Sequence, residues 1–306
     1  MKKHLVIIIL LYLPHFAGAC DICGCGVGGN YIGIMPEFNK QIIGLRYRQN
    51  DLLTHVGING IQTYLTSKEI YRTAELWGGW NISHRFRLMA SVPYNFNERH
   101  SQSISGKKNG IGDVSALAFY RLLNSRRTVS DSKLFIQSLW IGGGVKLATG
   151  AYNPADKAQN TQNANLFQLG SGSTDFAFNA MYDARLQDAG VNTTVSYKVN
   201  TTNKYDYRYG NKLTVSVQPY YKFNVGKKIT IAPNAGVLVE AAQQDADNHF
   251  SVDASGGYLL LGTIGTEVSL KKISLGANIQ TPLSQDLALG IVKAKNRGMV
   301  HIAFAL

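Results

Sequence analysis

Two stretches decide the fold: Val191-Asn192-Thr193-Thr194-Val195-Ser196-Tyr197-Lys198-Val199-Asn200 and Lys212-Leu213-Thr214-Val215-Ser216-Val217-Gln218-Pro219-Tyr220-Tyr221-Lys222-Phe223. In the first, Val191, Val195, Tyr197 and Val199 share a face with Thr193, while Asn192, Thr194, Ser196, Lys198 and Asn200 share the other. The second sets Leu213, Val215, Val217, Pro219, Tyr221 and Phe223 against Lys212, Thr214, Ser216, Gln218, Tyr220 and Lys222. Successive side chains of a strand point to opposite faces, so each run has one apolar and one polar side. Runs of roughly 10 residues with this dyad are what a β-barrel with a lipid-facing outside and a polar lumen requires.

Outward from these runs, the same reading gives twelve strands. It predicts strands over Gln41–Gln49, Glu69–Trp80, Arg85–Asn97, Ile111–Leu122, Leu134–Ala148 and Asp175–Leu186 ahead of the two quoted. After them it predicts Ile229–Ala241, Gly257–Ser269, Ile273–Thr281 and Gly298–Leu306. Phe86, Leu88, Val92, Tyr182, Leu186, Val195, Val215, Val237, Leu275 and Ile302 are expected outside, and Arg87, Asp183, Ser196, Ser216 and Asn278 inside. Short turns at 81–84, 187–189, 224–226 and 270–272 alternate with long polar stretches at 50–68, 98–110, 149–174, 243–256 and 282–297. Short turns on one side and long loops on the other are the rule for outer-membrane barrels. Pro93, Pro219 and Pro233 count against the scheme, because each removes a ladder hydrogen bond in a sheet without edges.

The N-terminus separates a membrane barrel from a soluble sandwich. Lys2 and Lys3 precede an apolar run from Leu5 to Leu13, and Ala17-Gly18-Ala19 offers a small-x-small cleavage site. That is an export leader over residues 1–19, too short to span a bilayer. Ala17-Gly18-Ala19-Cys20 also resembles a lipoprotein site, with Ala17 where Leu is usual.

Composition agrees with a membrane barrel. Charged residues are 16% of the chain, against roughly 25% in soluble domains, and Tyr (16) and Gly (31) are plentiful. Without Lys2 and Lys3 the chain carries 29 basic against 19 acidic residues, a net +10. Anionic lipid head groups account for that excess, and no motif supports nucleic-acid binding. The C-terminal run Gly298–Leu306 ends the sequence on an apolar-aromatic strand, the feature by which the barrel-assembly machinery would engage it.

Several fragments resemble the outer-membrane family named for the MetA pathway of phenol degradation. They are Ser91-Val92-Pro93-Tyr94, Gly110-Ile111-Gly112-Asp113-Val114, Gly144-Val145-Lys146-Leu147-Ala148-Thr149-Gly150 and Gly170-Ser171-Gly172-Ser173-Thr174-Asp175-Phe176. The family more usually has Pro at the position of Ala148. The resemblance implies a closed barrel and a role in moving small or hydrophobic solutes across the outer membrane. It names no solute for this chain.

Two constellations could carry chemistry. Cys20-Asp21-Ile22-Cys23-Gly24-Cys25 holds every Cys of the chain, and three sulfurs so close can converge on a soft metal such as Cu or Zn. A Cys20–Cys23 disulfide with Cys25 free, or lipidation of Cys20, explains the same residues. The second set comprises Arg46, Arg48, Glu75, Arg87, Asp113, Arg121, Lys146, Asp175, Asp183, Arg185, Lys198, Lys212, Lys222, Glu240 and Glu267, all on polar faces. They would line the lumen, either as a selectivity-setting charge ring or as a bracing salt-bridge network. No His stands beside a Ser in a nucleophile arrangement, so a barrel lipid hydrolase is the remotest reading.

The expectation is therefore an all-β, antiparallel up-and-down transmembrane barrel over 41–306, with a Cys-rich segment at 20–40 on the periplasmic side or in the lumen. It would sit in a Gram-negative outer membrane and pass small solutes. A non-transporting structural or metal-binding barrel is the rival.

Overall fold

The computed structural model describes residues 41–57, 60–102, 105–129, 133–158, 165–226 and 228–306. The leader and the segment with Cys20, Cys23 and Cys25 lie outside the described residues. The long strands are β1 (Ile42–Thr54), β2 (Ser67–Asn81), β3 (Phe86–His100), β5 (Ser115–Val129), β6 (Lys133–Lys146), β7 (Asp175–Leu186), β8 (Ala189–Val199), β10 (Lys212–Tyr221), β12 (Ile229–Ala242), β15 (Gly257–Leu270), β16 (Ile273–Leu287) and β17 (Lys293–Ala305). The short ones are β4 (Ser105–Ile111), β9 (Tyr207–Arg208), β11 (Phe223–Val225), β13 (Ala246–Asp247) and β14 (Phe250–Ser251).

Each long strand pairs antiparallel with its neighbours around a ring, and β10 pairs with β12 as well as β8. The ring closes where β17 meets β1, with Ile43 opposite Phe304 and Leu45 opposite Ile302. Taking β4 with β5 and β11 with β10, the described residues form twelve staves. Closure is forced by the solvent, since lipid offers no hydrogen bonds to an open edge.

The prolines sit where the ladder is already broken. Ile111–Leu122 does not form one continuous strand as expected. Ser105–Ile111 pairs with the outer half of β3, and a new strand starts at Ser115. The register shifts between Tyr94–Ile111 and Ser91–Ser115, so Val92 and Pro93 face the Gly112–Val114 bend. Pro93 has no N–H to donate there, and its carbonyl instead accepts from the Gly112 N–H at 2.9 Å. The pairing of β10 with β12 likewise skips Gln218 and Pro219. It resumes as β11, whose Phe223 lies opposite Ile231, on the far side of Pro233.

Several strands run further than expected on the loop side, while β6 stops at Lys146, short of Ala148. β16 runs to Leu287 and β17 starts at Lys293, where residues 282–297 read as loop. β5 and β6 extend to Val129 and from Lys133, narrowing another expected connection. Ladder hydrogen bonds continue past the apolar band, and residues in those extensions are polar because no lipid touches them.

Face assignment follows the period of two. Leu88, Val92, Leu186, Val195, Val237 and Leu275 are exposed on the outside, and Phe86, Tyr182, Val215 and Ile302 are half-buried. Arg87, Ser216 and Asn278 are buried inside, while Asp183 and Ser196 are half-buried. A soluble barrel would reverse this arrangement. Among the described residues no helix is long and apolar enough to cross a membrane.

Candidate functional site

The interior is not uniformly polar. Near the short turns, Ile42, Trp77, Met89, Leu117, Phe119, Trp140, Ala177, Met181 and Ala303 form a buried apolar cluster, all from staves. Near the long loops, Leu52, Tyr71, Leu238, Leu259, Leu261, Leu287, Ala288, Val292 and Ala294 form a second one. Four members of the second cluster belong to no strand: Ala288 and Val292 at the β16–β17 turn, and Leu166 and Phe167. Leu166 and Phe167 lie on the β6–β7 connection, and their side chains point inward at the mouth.

That inward segment, Asn165 to Gly170, is fastened on several sides. Asn95 and Asn97 of β3 donate to the carbonyls of Leu169 (3.1 Å) and Gln168 (3.2 Å). Lys108 donates to the Phe167 carbonyl at 2.6 Å and also meets Asp156. The Arg99 guanidinium lies 4.4 Å from the Phe167 ring centroid, and Tyr71 meets the same ring edge-on at 6.4 Å. From above, the Asn165 N–H donates to the Tyr207 hydroxyl (3.2 Å), and the Tyr209 hydroxyl donates to the Asn165 carbonyl (3.0 Å). Burial, reinforced by the Asp245 carboxylate, pushes Tyr207 ionisation well above the usual tyrosine range. Its hydroxyl therefore stays a donor to Asp245 and an acceptor for the segment.

The Gly-rich fragments of the sequence meet in one clasp beneath this segment. Lys146 closes β6, and its Nζ lies 2.6 Å from Asp113 Oδ2, 2.7 Å from Asp175 Oδ2, and against Ser171 Oγ. Asp113 also accepts from the Gly150 N–H (3.0 Å) and the Ser171 N–H (2.9 Å). Asp175 accepts from Ser173 Oγ at 2.8 Å and from the Thr201 N–H at 3.0 Å. Glycine is needed because the backbones nearly touch. A Cβ on Gly170 would sit 2.5 Å from Asp113 Oδ1 and 2.6 Å from the Gly150 carbonyl oxygen. The clasp ties Gly150 and Ser171, one on either side of the inward segment, to Asp113 at the wall.

Between the apolar clusters runs a charged band. Arg46 donates from Nε to Glu75 Oε2 at 2.8 Å, with Arg48 3.6 Å from the same oxygen. Arg297 Nη1 lies 3.1 Å from Glu240 Oε1, and Lys212 3.5 Å from Oε2. Arg297 is on β17 and Glu240 on β12, two staves apart, so they meet through the lumen and not along the wall. Tyr220 of β10, by contrast, reaches Asp183 of β7 along the wall, its ring lying over Gly190 of β8, at 2.8 Å.

Of the fifteen charged residues expected inside, Arg46, Glu75, Arg87, Asp113, Lys146, Asp175, Lys198, Lys212, Glu240 and Glu267 are buried. Arg48, Arg121, Asp183, Arg185 and Lys222 are half-buried. Arg121 stacks over Trp140, 5.2 Å from the ring centroid. The structure gathers Asp113, Lys146 and Asp175 in the clasp and Arg46, Arg48, Glu75, Lys212 and Glu240 in the band, and places the remaining seven elsewhere along the interior. Sequence reading missed Arg297, because it fell in an expected loop, and missed the inward segment. A signal for the latter exists: Leu166-Phe167 and Leu169 interrupt a polar connection with apolar side chains. Among the described residues, no group of three His, Cys, Asp or Glu side chains could hold a metal ion.

No family model and no curated protein matches this chain. Its fold is similar to that of an outer-membrane channel from Pseudomonas putida F1, with 13% identity, a TM-score of 0.61, and coverage of 92% of this chain and 100% of that one. The β domain of the Bordetella autotransporter BrkA matches at 9% identity over 87% of this chain and 100% of that one, with a TM-score of 0.49. The NanC porin matches at 10% identity over 86% of this chain and 100% of that one, with a TM-score of 0.39. With its closed ring of staves, apolar exterior and charged interior, the chain is a β-barrel of the Gram-negative outer membrane.

Proposed function

We propose that the chain is a passive channel for small solutes, in line with the resemblance to the MetA-pathway family. The inward segment is the observation that carries this reading. A purely structural barrel has no need to bring Leu166, Phe167 and Gln168 across its own mouth and fasten them there from β3, β4 and the β9 loop. A constriction of that kind sets the size and polarity of what passes. The charged band below it then meets the solute with fixed guanidinium, ammonium and carboxylate groups. Neither region offers a nucleophile with a neighbouring base, so the reading is transport and not hydrolysis. The last strand would be the signal for the barrel-assembly machinery, and the Cys segment a soft-metal (Cu or Zn) ligand set on the periplasmic side.

The filled interior supports a second reading, a barrel that binds without conducting. Reconstitution in planar bilayers separates the two. Discrete ion currents from the folded protein, enlarged by Phe167→Ala, are expected for a channel. Silence from both the native chain and Phe167→Ala, with folding shown by heat-modifiable gel migration, would overturn it.

A further inference from the structure

The charged band contains a guanidinium edge that the protein leaves open. Arg297 uses Nη1 for Glu240, while its buried Nε and Nη2 have no hydrogen-bond partner. These two N–H groups form the side-on fork that binds a carboxylate through two parallel hydrogen bonds. The side chain is only 9% exposed, so bulk solvent does not satisfy that edge. Asn278 occupies the diagonal position on the neighbouring stave β16, where Gln280 pairs with Arg297. It is 2% exposed, and neither its Oδ1 nor its Nδ2 has a partner. Asn234 Oδ1 is also open, and it faces Asn278 Nδ2 over Gly265. A Cβ on Gly265 would lie 3.0 and 2.9 Å from these two atoms. Buried donors and acceptors with no protein partner are the groups a ligand of matching hydrogen-bond pattern can engage.

Charge selects the occupant. In the band, Arg46, Arg48, Lys212 and Arg297 gather around Glu75 and Glu240, and Arg48 feels both carboxylates as well as Arg46 and Arg297. Adding Glu267 and Lys198 from the flanking staves leaves an excess of two positive charges. A cation would meet that excess unfavourably, whereas a monoanion would reduce it. We propose that the Nε–Nη2 edge of Arg297, with Asn278 and Asn234 beside it, is a lumenal subsite for the carboxylate of a small organic acid. Its place on a transport path rests on the channel reading; its existence as a binding site does not.

Titration calorimetry on the detergent-solubilised full chain tests the subsite, with benzoate as probe and neutral benzamide as control. Benzoate should bind and benzamide should not. Arg297→Lys keeps the charge opposite Glu240 but cannot form the fork, and should weaken benzoate at least ~10-fold. Asn278→Ala should weaken it less. Arg297→Met should abolish binding, and if it fails to fold, Arg297→Lys decides the matter. No benzoate binding by the folded native chain at millimolar concentration, or undiminished binding by Arg297→Lys, would overturn the proposal. Bilayer recordings keep the two readings apart. Benzoate binding without ion current leaves the subsite standing and removes the channel, whereas current without benzoate binding removes only the subsite.

Discussion

The two ends of the lumen are both stopped by apolar side chains, but they are built differently. At the turn end, Trp77, Met89, Leu117, Phe119, Trp140 and Met181 hang directly from strands whose ladders fix them. At the loop end, Leu166 and Phe167 arrive on a connection held by side-chain hydrogen bonds and by the Lys146 clasp. Packing of the first kind moves only if the barrel deforms. The second kind depends on a few polar contacts, each contributing about 0.5–1.5 kcal/mol net when uncharged. Selectivity at the loop end can therefore change by substitution without disturbing the wall.

The largest effect expected from breaking this difference is at the clasp. Lys146→Met leaves Asp113 and Asp175 buried without their common cation, which should cost about 3–5 kcal/mol. Urea titration followed by gel migration should show the loss, and surviving channels should conduct more because the connection is no longer pinned. A stability close to native would mean that the clasp is not what holds it.

Next come matched truncations in the two clusters. Phe167→Ala and Trp140→Ala each remove a buried aromatic, a change costing about 3–5 kcal/mol in well-packed cores. Both should lower stability, yet only Phe167→Ala should raise single-channel conductance strongly. Equal conductance gains would erase the distinction between the two ends.

A smaller effect separates wall faces. Val215→Arg places a charge on the lipid side and should cost about 2–4 kcal/mol near mid-bilayer, whereas Ser216→Arg, one residue on, should mainly reduce conductance. Refolding yields into lipid vesicles compare the pair directly.

The smallest change sharpens the contrast from outside. Lys107 and Glu98 form an exposed pair at 3.2 Å on the β3–β4 hairpin. Lys107→Ala should leave stability nearly unchanged and conductance untouched. A marked conductance change there would extend the constriction beyond the inward segment.

How legible each feature was depended on its range in the sequence. Alternation along Val191–Phe223 determined strand period, lipid-facing side and barrel class, because those properties depend on neighbours two residues apart. Arg46, Glu75, Arg87 and Lys146 could be placed inside for the same reason. Strand ends such as Leu287 and Lys293 were less readable, since polar residues above the lipid band look alike in strand and loop. The break at Pro93 was visible as a conflict, but its resolution needed Gly112 from the bend between β4 and β5.

What the sequence by itself determined is the wall of this barrel. Only the tertiary structure decided what fills it. Asp113, Lys146, Ser171 and Asp175 come from three fragments whose joint purpose appears once the staves stand side by side. Phe167 finds Tyr71 and Arg99, and Arg297 finds Glu240, across distances that no local period encodes. Closing the ring makes residues far apart in sequence into neighbours through the lumen. Which of them meet follows from register and barrel geometry, not from alternation.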